Sequence, residues 1–335
     1  CSLPLAYRPT VRAVWFVAGA SAENVVFTSG ATEAAHLAFE AACKSANSIT
    51  LSELEHDCVF HHAPAWYDDY DKVPVLESGL IDLVALERRL ATANRPAMVA
   101  LILANNETGV VQPVREVAAL VREVGGLLFV DAAQALGRMP VDIADLDATY
   151  LVVSSHKLGG PPGAGALVLS AGAPFATTRF GGGQERGRRP GTENRPAIVG
   201  FGVAVEWALR EQDEETNRLT ALRDRFEAGL PRDAIVFGAT TQRLPNTSNF
   251  ALPGLSAETA VIAMDLEGVA ISSGAACSSG KVRSSRVLAA MGVAPELAKA
   301  ALRVSFGHES KESDVDEALN ALNKIVARRA QGAAA

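Results

Sequence analysis

Ala97 to Ala104 reads AMVALILA, eight consecutive apolar residues with no charge among them. The run is far short of the roughly 18 residues that span a bilayer, and it leaves no polar face for water. A strand covered on both sides accommodates it, which points to a parallel sheet flanked by helices. Val25 to Thr28, Leu127 to Val130 (LLFV), Tyr150 to Val153 and Ala166 to Leu169 repeat the short apolar pattern. Between these runs, three- and four-residue spacing predicts helices over Thr32 to Ala46 and Val114 to Val124, and one long helix over Pro196 to Leu209. Alternation of this kind is an α/β signature.

With 335 residues the chain has material for roughly two domains of about 150 residues each. Hydrophobic residues at 48% and charged ones at 21% exclude bulk disorder. A net charge of −7 argues against nucleic acid or an anionic membrane as the main partner. From about Arg210 the texture changes. EQDEETNRLTALRDRFEAGL predicts an exposed, charged connecting helix into a second domain, 210–335, after a first domain over 1–209. That second domain is expected to hold a strand near Ser248 to Leu252, helices at Ala257 to Leu266 and Ser313 to Arg328, and a small-residue loop over 272–280. Four cysteines (Cys1, Cys43, Cys58, Cys277) without paired spacing favour a reducing cytoplasm over a disulfide framework. The start at Cys1 suggests that the natural chain has residues before it.

Four segments carry chemistry. In VVSSHKLGGPPGAGALVL a strand ends and Lys157 follows among small residues, where an amine could be held and partly desolvated for Schiff-base chemistry; a solvated loop lysine is the plain alternative. In LLFVDAAQALG, Asp131 follows a buried strand, at the end where open sheets place their ligands. A carboxylate there needs a partner, such as the protonated ring nitrogen of pyridoxal phosphate, unless it simply caps a helix. In VVFTSGATEAA a strand runs through Ser29, Gly30, Ala31 and Thr32 into a helix, the outline of a phosphate cradle or of an ordinary capped helix. ISSGAACSSGK sets Cys277 among small residues, as a travelling thiol or an incidental one. HDCVFHH has metal-ligand residue types but no second cluster, so no metal is expected, and His56 suits stacking on a flat cofactor. Cys43 reads as core and Cys58 as neutral.

TSGATEA, EHDCV, NNETGVVQP, VDAAQALG, SSHKLGGPPGAGAL, GGGQERGRRPGTEN, SSGAACSSG and LRVSFG occur in this order. Together they closely resemble the pyridoxal-phosphate cysteine desulfurases of the fold-type-I, class V aminotransferase group, over Asn24 to about Gly307. The resemblance implies a PLP-transferase fold, with a mostly parallel sheet in a large domain and a smaller α+β C-terminal domain. It implies that Lys157 holds pyridoxal 5'-phosphate and shuttles the substrate's Cα proton, that Asp131 pairs with the ring nitrogen, and that His56 stacks on the ring. Asn106 and Gln134 would bond the phenolic oxygen, with Asn106 also helping to hold substrate. Ala31, Thr32, Ser154 and His156 would line the phosphate, joined by Thr192 of a second subunit in a homodimer. Arg303 would clamp the carboxylate of L-cysteine, and Cys277 would take its sulfur as a persulfide and pass it to an acceptor protein of iron–sulfur or thiolation pathways.

The family's N-terminal strand and asparagine–proline segment are not found in CSLPLAYRPTVRAVWFVAGAS. Rival readings are a selenocysteine lyase or a cystine-type β-lyase on the same scaffold, which the long-loop Cys277 argues against, and a subunit that acts only in a complex.

Overall fold

A computed structural model describes residues 19–176, 179–274 and 285–333, with side chains up to Arg328. The chain divides into two compact units. The first comprises Cys1–Pro74, Ile81–Ala104 and Gln112–Gln212; the second comprises Val75–Leu80, Asn105–Val111 and Asp213–Ala335. The single cut expected after residue 209 therefore misses two short excursions, and Asn106 lies in the second unit.

The first unit is built on seven strands: β1 (Val25–Thr28), β2 (Ser48–Ser52), β3 (Asp69–Val73), β4 (Ala97–Ile102), β5 (Leu127–Asp131), β6 (Tyr150–Ser154) and β7 (Gly165–Leu169). Their spatial order is β1-β7-β6-β5-β4-β2-β3. Pairs β3–β2, β2–β4, β4–β5 and β5–β6 are parallel, while β7 runs antiparallel to both β6 and β1. It follows that β1, β2, β4, β5 and β6 all end on one edge of the sheet. Every residue of β4 is buried, as a doubly covered strand requires.

Helices α1 (Ala31–Ala42), α2 (Asp57–Phe60), α3 (Leu83–Thr92), α4 (Val114–Glu123) and α5 (Arg195–Arg210) complete this unit. Helix α1 is the core helix: Leu37, Ala38 and Phe39 pack with Ile49, Phe129, Tyr150 and Leu167 in one buried cluster. It stops at Ala42, four residues before the expected end, because Ser45 and Ala46 both turn back onto the carbonyl of Ala42 and close the last turn. Cys43 caps that end, half-buried, with its thiol on the Glu40 carbonyl, and is not a core residue.

The second unit has a small antiparallel sheet of β8 (Ile235–Val236), β9 (Thr247–Ala251), β10 (Ser272–Ser273) and β11 (Ala301–Ser305), in the order β10-β11-β9-β8. Helices α6 (Gln212–Ala228), α7 (Ala257–Leu266), α8 (Arg286–Ala290), α9 (Pro295–Ala298) and α10 (Glu312–Ala333) accompany it. Charged as it is, α6 is no bare connector. Leu219, Leu222 and Phe226 form a three-to-four-residue stripe that packs with Phe250, Leu302 and Leu322. Among the described residues no helix is long and apolar enough to cross a membrane.

Candidate active site

At the end of β1 the chain turns through Ser29 and Gly30 into α1. Across the sheet Thr28 faces Gly165 on β7, which in turn faces Ser154 on β6, so this turn and the end of β6 share one row. The row depends on a missing side chain: a Cβ at Gly165 would lie 2.7 Å from the Gly30 Cα. Beside the turn the direction in which a Gly30 side chain would point is open. Half-buried Ala31 and exposed Thr32 form the first turn of α1, whose free N–H groups and dipole favour an anion. Glu33 accepts from Ser29 N–H at 2.6 Å and pairs with Arg179 and Arg189 at 3.1 and 3.0 Å.

Ser154 Oγ lies 3.1 Å from His156 Nδ1, so two residues expected at a phosphate meet. Burial and the charge of Lys157 hold the His156 imidazole below its ordinary range. Lys157 lies on the single turn Ser155–Leu158, which ends at Gly159 with φ +89°, in the left-handed region that glycine adopts without strain. The lysine is exposed, so the partial desolvation expected for it is not supplied.

Asp131 closes β5 with only 4% exposure, and one carboxylate oxygen accepts the N–H of Ala133 at 2.9 Å. Burial pushes this carboxyl above the usual carboxylate range, against the pull of the Ala133 N–H and the electrostatic influence of His56 and Lys157. His56 is the N-cap of α2, its Nδ1 receiving the N–H of Cys58 at 3.2 Å. Gln134 is half-buried in the turn after β5. Arg138 donates to the carbonyls of Gln134 and Lys157, at 2.7 and 2.6 Å, and so ties the turn after β5 to the turn after β6.

The three histidines of HDCVFHH go separate ways. His61 is exposed, while His62 stacks on His36 with ring centroids 3.6 Å apart and accepts from Trp66 Nε1 at 2.9 Å. Burial and the neighbouring His36 push His62 down to about 4. Among the described residues no group of three or more His, Cys, Asp or Glu could hold a metal ion.

In the second unit Asn105 Oδ1 accepts from the N–H groups of Glu107 and Thr108 at 2.9 and 3.0 Å, folding NNETG into an Asx turn. This turn presents the carbonyl of Asn106 to Arg303 Nη1 at 2.8 Å. Arg303 on β11 is paired with Ser272, where the small-residue stretch begins. Ser285, beyond that stretch, donates to buried Glu107 and caps α8. The structure thus brings Thr32, His56, Asp131, Gln134, Ser154, His156 and Lys157 to one edge of the first sheet. Asn106 and Arg303 come together within the second unit. Thr192 is exposed ahead of α5, and Cys277 lies outside the described residues.

Sequence reasoning gave no role to Arg138, Glu107, Ser285 or Glu55, a fully buried carboxylate that accepts the Ile102 N–H at 2.6 Å. Arg138 acts through its reach between neighbouring strands, which spacing along the chain does not reveal. For Glu55 and Glu107 the signal was present, since Glu55 opens EHDCV and Glu107 stands between polar residues in NNETG, where a charge drawn into the fold must find a partner.

Comparison with known proteins decides the family: residues 7–318 match the model for aminotransferase class-V. The chain belongs to that family. A cysteine desulfurase of Gluconacetobacter diazotrophicus is 40% identical over 316 residues, covering 91% of this chain and 78% of its own length. A cysteine desulfurase IscS of Clostridium botulinum is 34% identical over 328 residues, covering 92% and 81%. A NifS-like protein of Rickettsia africae superposes with a TM-score of 0.88 at 30% identity, over 96% of this chain and 88% of that one. With 31% identity and a TM-score of 0.74, DndA of Streptomyces lividans covers 90% of this chain and 88% of its own.

Proposed function

We propose that this chain is a pyridoxal-phosphate-dependent cysteine desulfurase that converts L-cysteine to L-alanine and transfers the sulfur to Cys277. The observation that carries this reading is Asp131, a buried carboxylate at the end of a central strand, pushed up by burial in spite of the electrostatic influence of His56 and Lys157. Such a group calls for a cation supplied from outside the fold, and a protonated pyridine nitrogen is one. The residues fit the rest of the cofactor as well. The open side of Gly30 and the start of α1, with Thr32, Ser154 and His156, would receive the phosphate. Bound there, pyridoxal phosphate would supply an electron sink that acidifies the substrate's Cα and lets its C–S bond break.

The protein's own groups do the remainder. Asp131 keeps the proton on the ring nitrogen. By the family resemblance His56 would cover the ring, and Gln134 and Asn106 would bond its phenolic oxygen. Lys157 Nζ takes the proton from Cα and returns it. Arg303 offers a planar, two-pronged donor that suits the substrate carboxylate. Cys277 Sγ, as thiolate, attacks the substrate sulfur: a new S–S bond forms, the C–S bond breaks, and its electron pair is protonated at Cβ. Cysteine and a thiol become alanine and a persulfide, with no other oxidant or reductant.

Similarity to proteins named cysteine desulfurase and IscS supports the substrate and the passage of sulfur to an acceptor protein. We infer a homodimer, in which exposed Thr192 reaches the phosphate of the partner's site, and a reducing cytoplasm in which persulfide chemistry persists. No observation favours the selenocysteine or cystine readings.

Alanine release from L-cysteine tests the proposal, with Cys277→Ala assayed beside the wild type. Alanine from the wild type and little from the variant is the expected result. Equal alanine from both would move the assignment to a lyase that makes no use of this thiol.

A further inference from the structure

We propose that Cys58 is a positioning residue: its thiol donates to Nδ1 of His56 and fixes the imidazole in the form that carries its proton on Nε2. This rests on the reading of His56 as the residue that covers the cofactor ring. Cys58 Sγ lies 3.0 Å from His56 Nδ1, and the backbone N–H of Cys58 points at the same nitrogen from 3.2 Å. A backbone N–H can only donate, so the nitrogen it meets must present a lone pair. A thiol beside that lone pair likewise serves as donor. Two donors on Nδ1 leave Nε2 as the place for the ring proton.

The surroundings keep the thiol in that role. Cys58 packs against the core cluster below α1. Burial pushes it up to about 12, with the charge of Asp131 adding to the effect, so it stays S–H and is no nucleophile. The sulfur therefore ties the ring expected to stack on the cofactor to the buried cluster that α1 contributes to. A contact between residues two apart is enough because the extended backbone of His56 (φ −61°, ψ 149°) folds its side chain over the start of α2.

The test reads the imidazole directly. Full-length protein labelled with 15N-histidine is examined by long-range proton–nitrogen correlation, as purified and after addition of pyridoxal phosphate, with His56 assigned through His56→Gln. The wild type is expected to show His56 as the Nε2–H form. Cys58→Ser, which keeps a donor, should retain it. Cys58→Ala should lower the ratio of Nε2–H to Nδ1–H forms by about fivefold, the worth of one ordinary hydrogen bond. In the infrared, the S–H stretch assigned to Cys58 should lie at the lowered frequency of a donating thiol, and should rise in His56→Gln. An unchanged ratio in Cys58→Ala, or a Cys58 stretch at the free-thiol frequency, overturns the proposal. If Cys58→Ala fails to fold, the serine variant and the wild-type stretch still decide it. Wild type that develops no visible absorption with pyridoxal phosphate counts instead against the cofactor site itself.

Discussion

Two carboxylates of the first unit stand near the same sheet edge and are driven in opposite directions. Glu33, in the first turn of α1, is pulled down to about 2: burial opposes its charge, but the Arg189 guanidinium and the Ser29 N–H outweigh it. Asp131, at the end of β5, is pushed up because burial prevails over one N–H and the electrostatic influence of His56 and Lys157. Glu33 has its counter-charges built into the fold, and so works as scaffold. Asp131 accepts one N–H and has no ion pair among the described contacts, which is why it is the carboxylate proposed to meet the cofactor. Groups pushed apart in this way separate structural charges from functional ones.

The comparison can be broken at either end. Lys157→Ala removes the amine on the same edge as Asp131 and should lower alanine release by about a thousandfold or more, with the fold intact by circular dichroism. Asp131→Asn should lower the rate by roughly a hundredfold to a thousandfold. The same variant should not destabilise the cofactor-free protein near neutral pH, and should stabilise it. The folded carboxyl titrates above its unfolded value of 3.8, so its effect on stability worsens as pH rises through the folded value. Urea midpoints of the wild type that fall with rising pH in this range, and flatten in Asp131→Asn, would bear the point out.

Glu33→Gln should behave in the opposite way. Its folded carboxyl is depressed, so the stability it contributes is present above 4.5 and is lost as pH falls toward about 2. Allowing for partial exposure, the variant should lose about 1–2 kcal/mol near neutral pH and little at the acid end, read by denaturant unfolding. The smallest effect belongs to the stacked His36–His62 pair. His62 is depressed to about 4, so unfolded chains bind protons first and stability should fall as pH drops from 6.5 toward that value. With a half-buried ring the loss should be about 1 kcal/mol, and it should shrink in His62→Gln, by thermal melting.

Much of this was legible in the sequence, for reasons that can be named. The run AMVALILA, whose first six residues form β4, pointed to a covered strand because its eight apolar residues are too few for a typical helix and leave no polar face. Asp131 was legible because a charge directly after such a strand must have a partner. The end of α1 was misplaced because apolar spacing continues through Ala46, whereas the helix stops where the chain must turn to enter β2. The excursion of NNETG into the second unit, and with it the meeting of Asn106 and Arg303, depended on non-local packing. So did the Arg138 bridge, since strand order is not written in strand spacing. The Cys58–His56 contact is local, yet it turns on one backbone conformation at His56 that composition does not announce.

The most direct test is to expose the cofactor-loaded protein once to L-cysteine and map its peptides by mass spectrometry while alanine is counted. The account predicts one added sulfur atom on the Cys277 peptide, equimolar alanine, and loss of both in Lys157→Ala and Asp131→Asn. Sulfide and pyruvate in solution, with Cys277 unmodified, would contradict it.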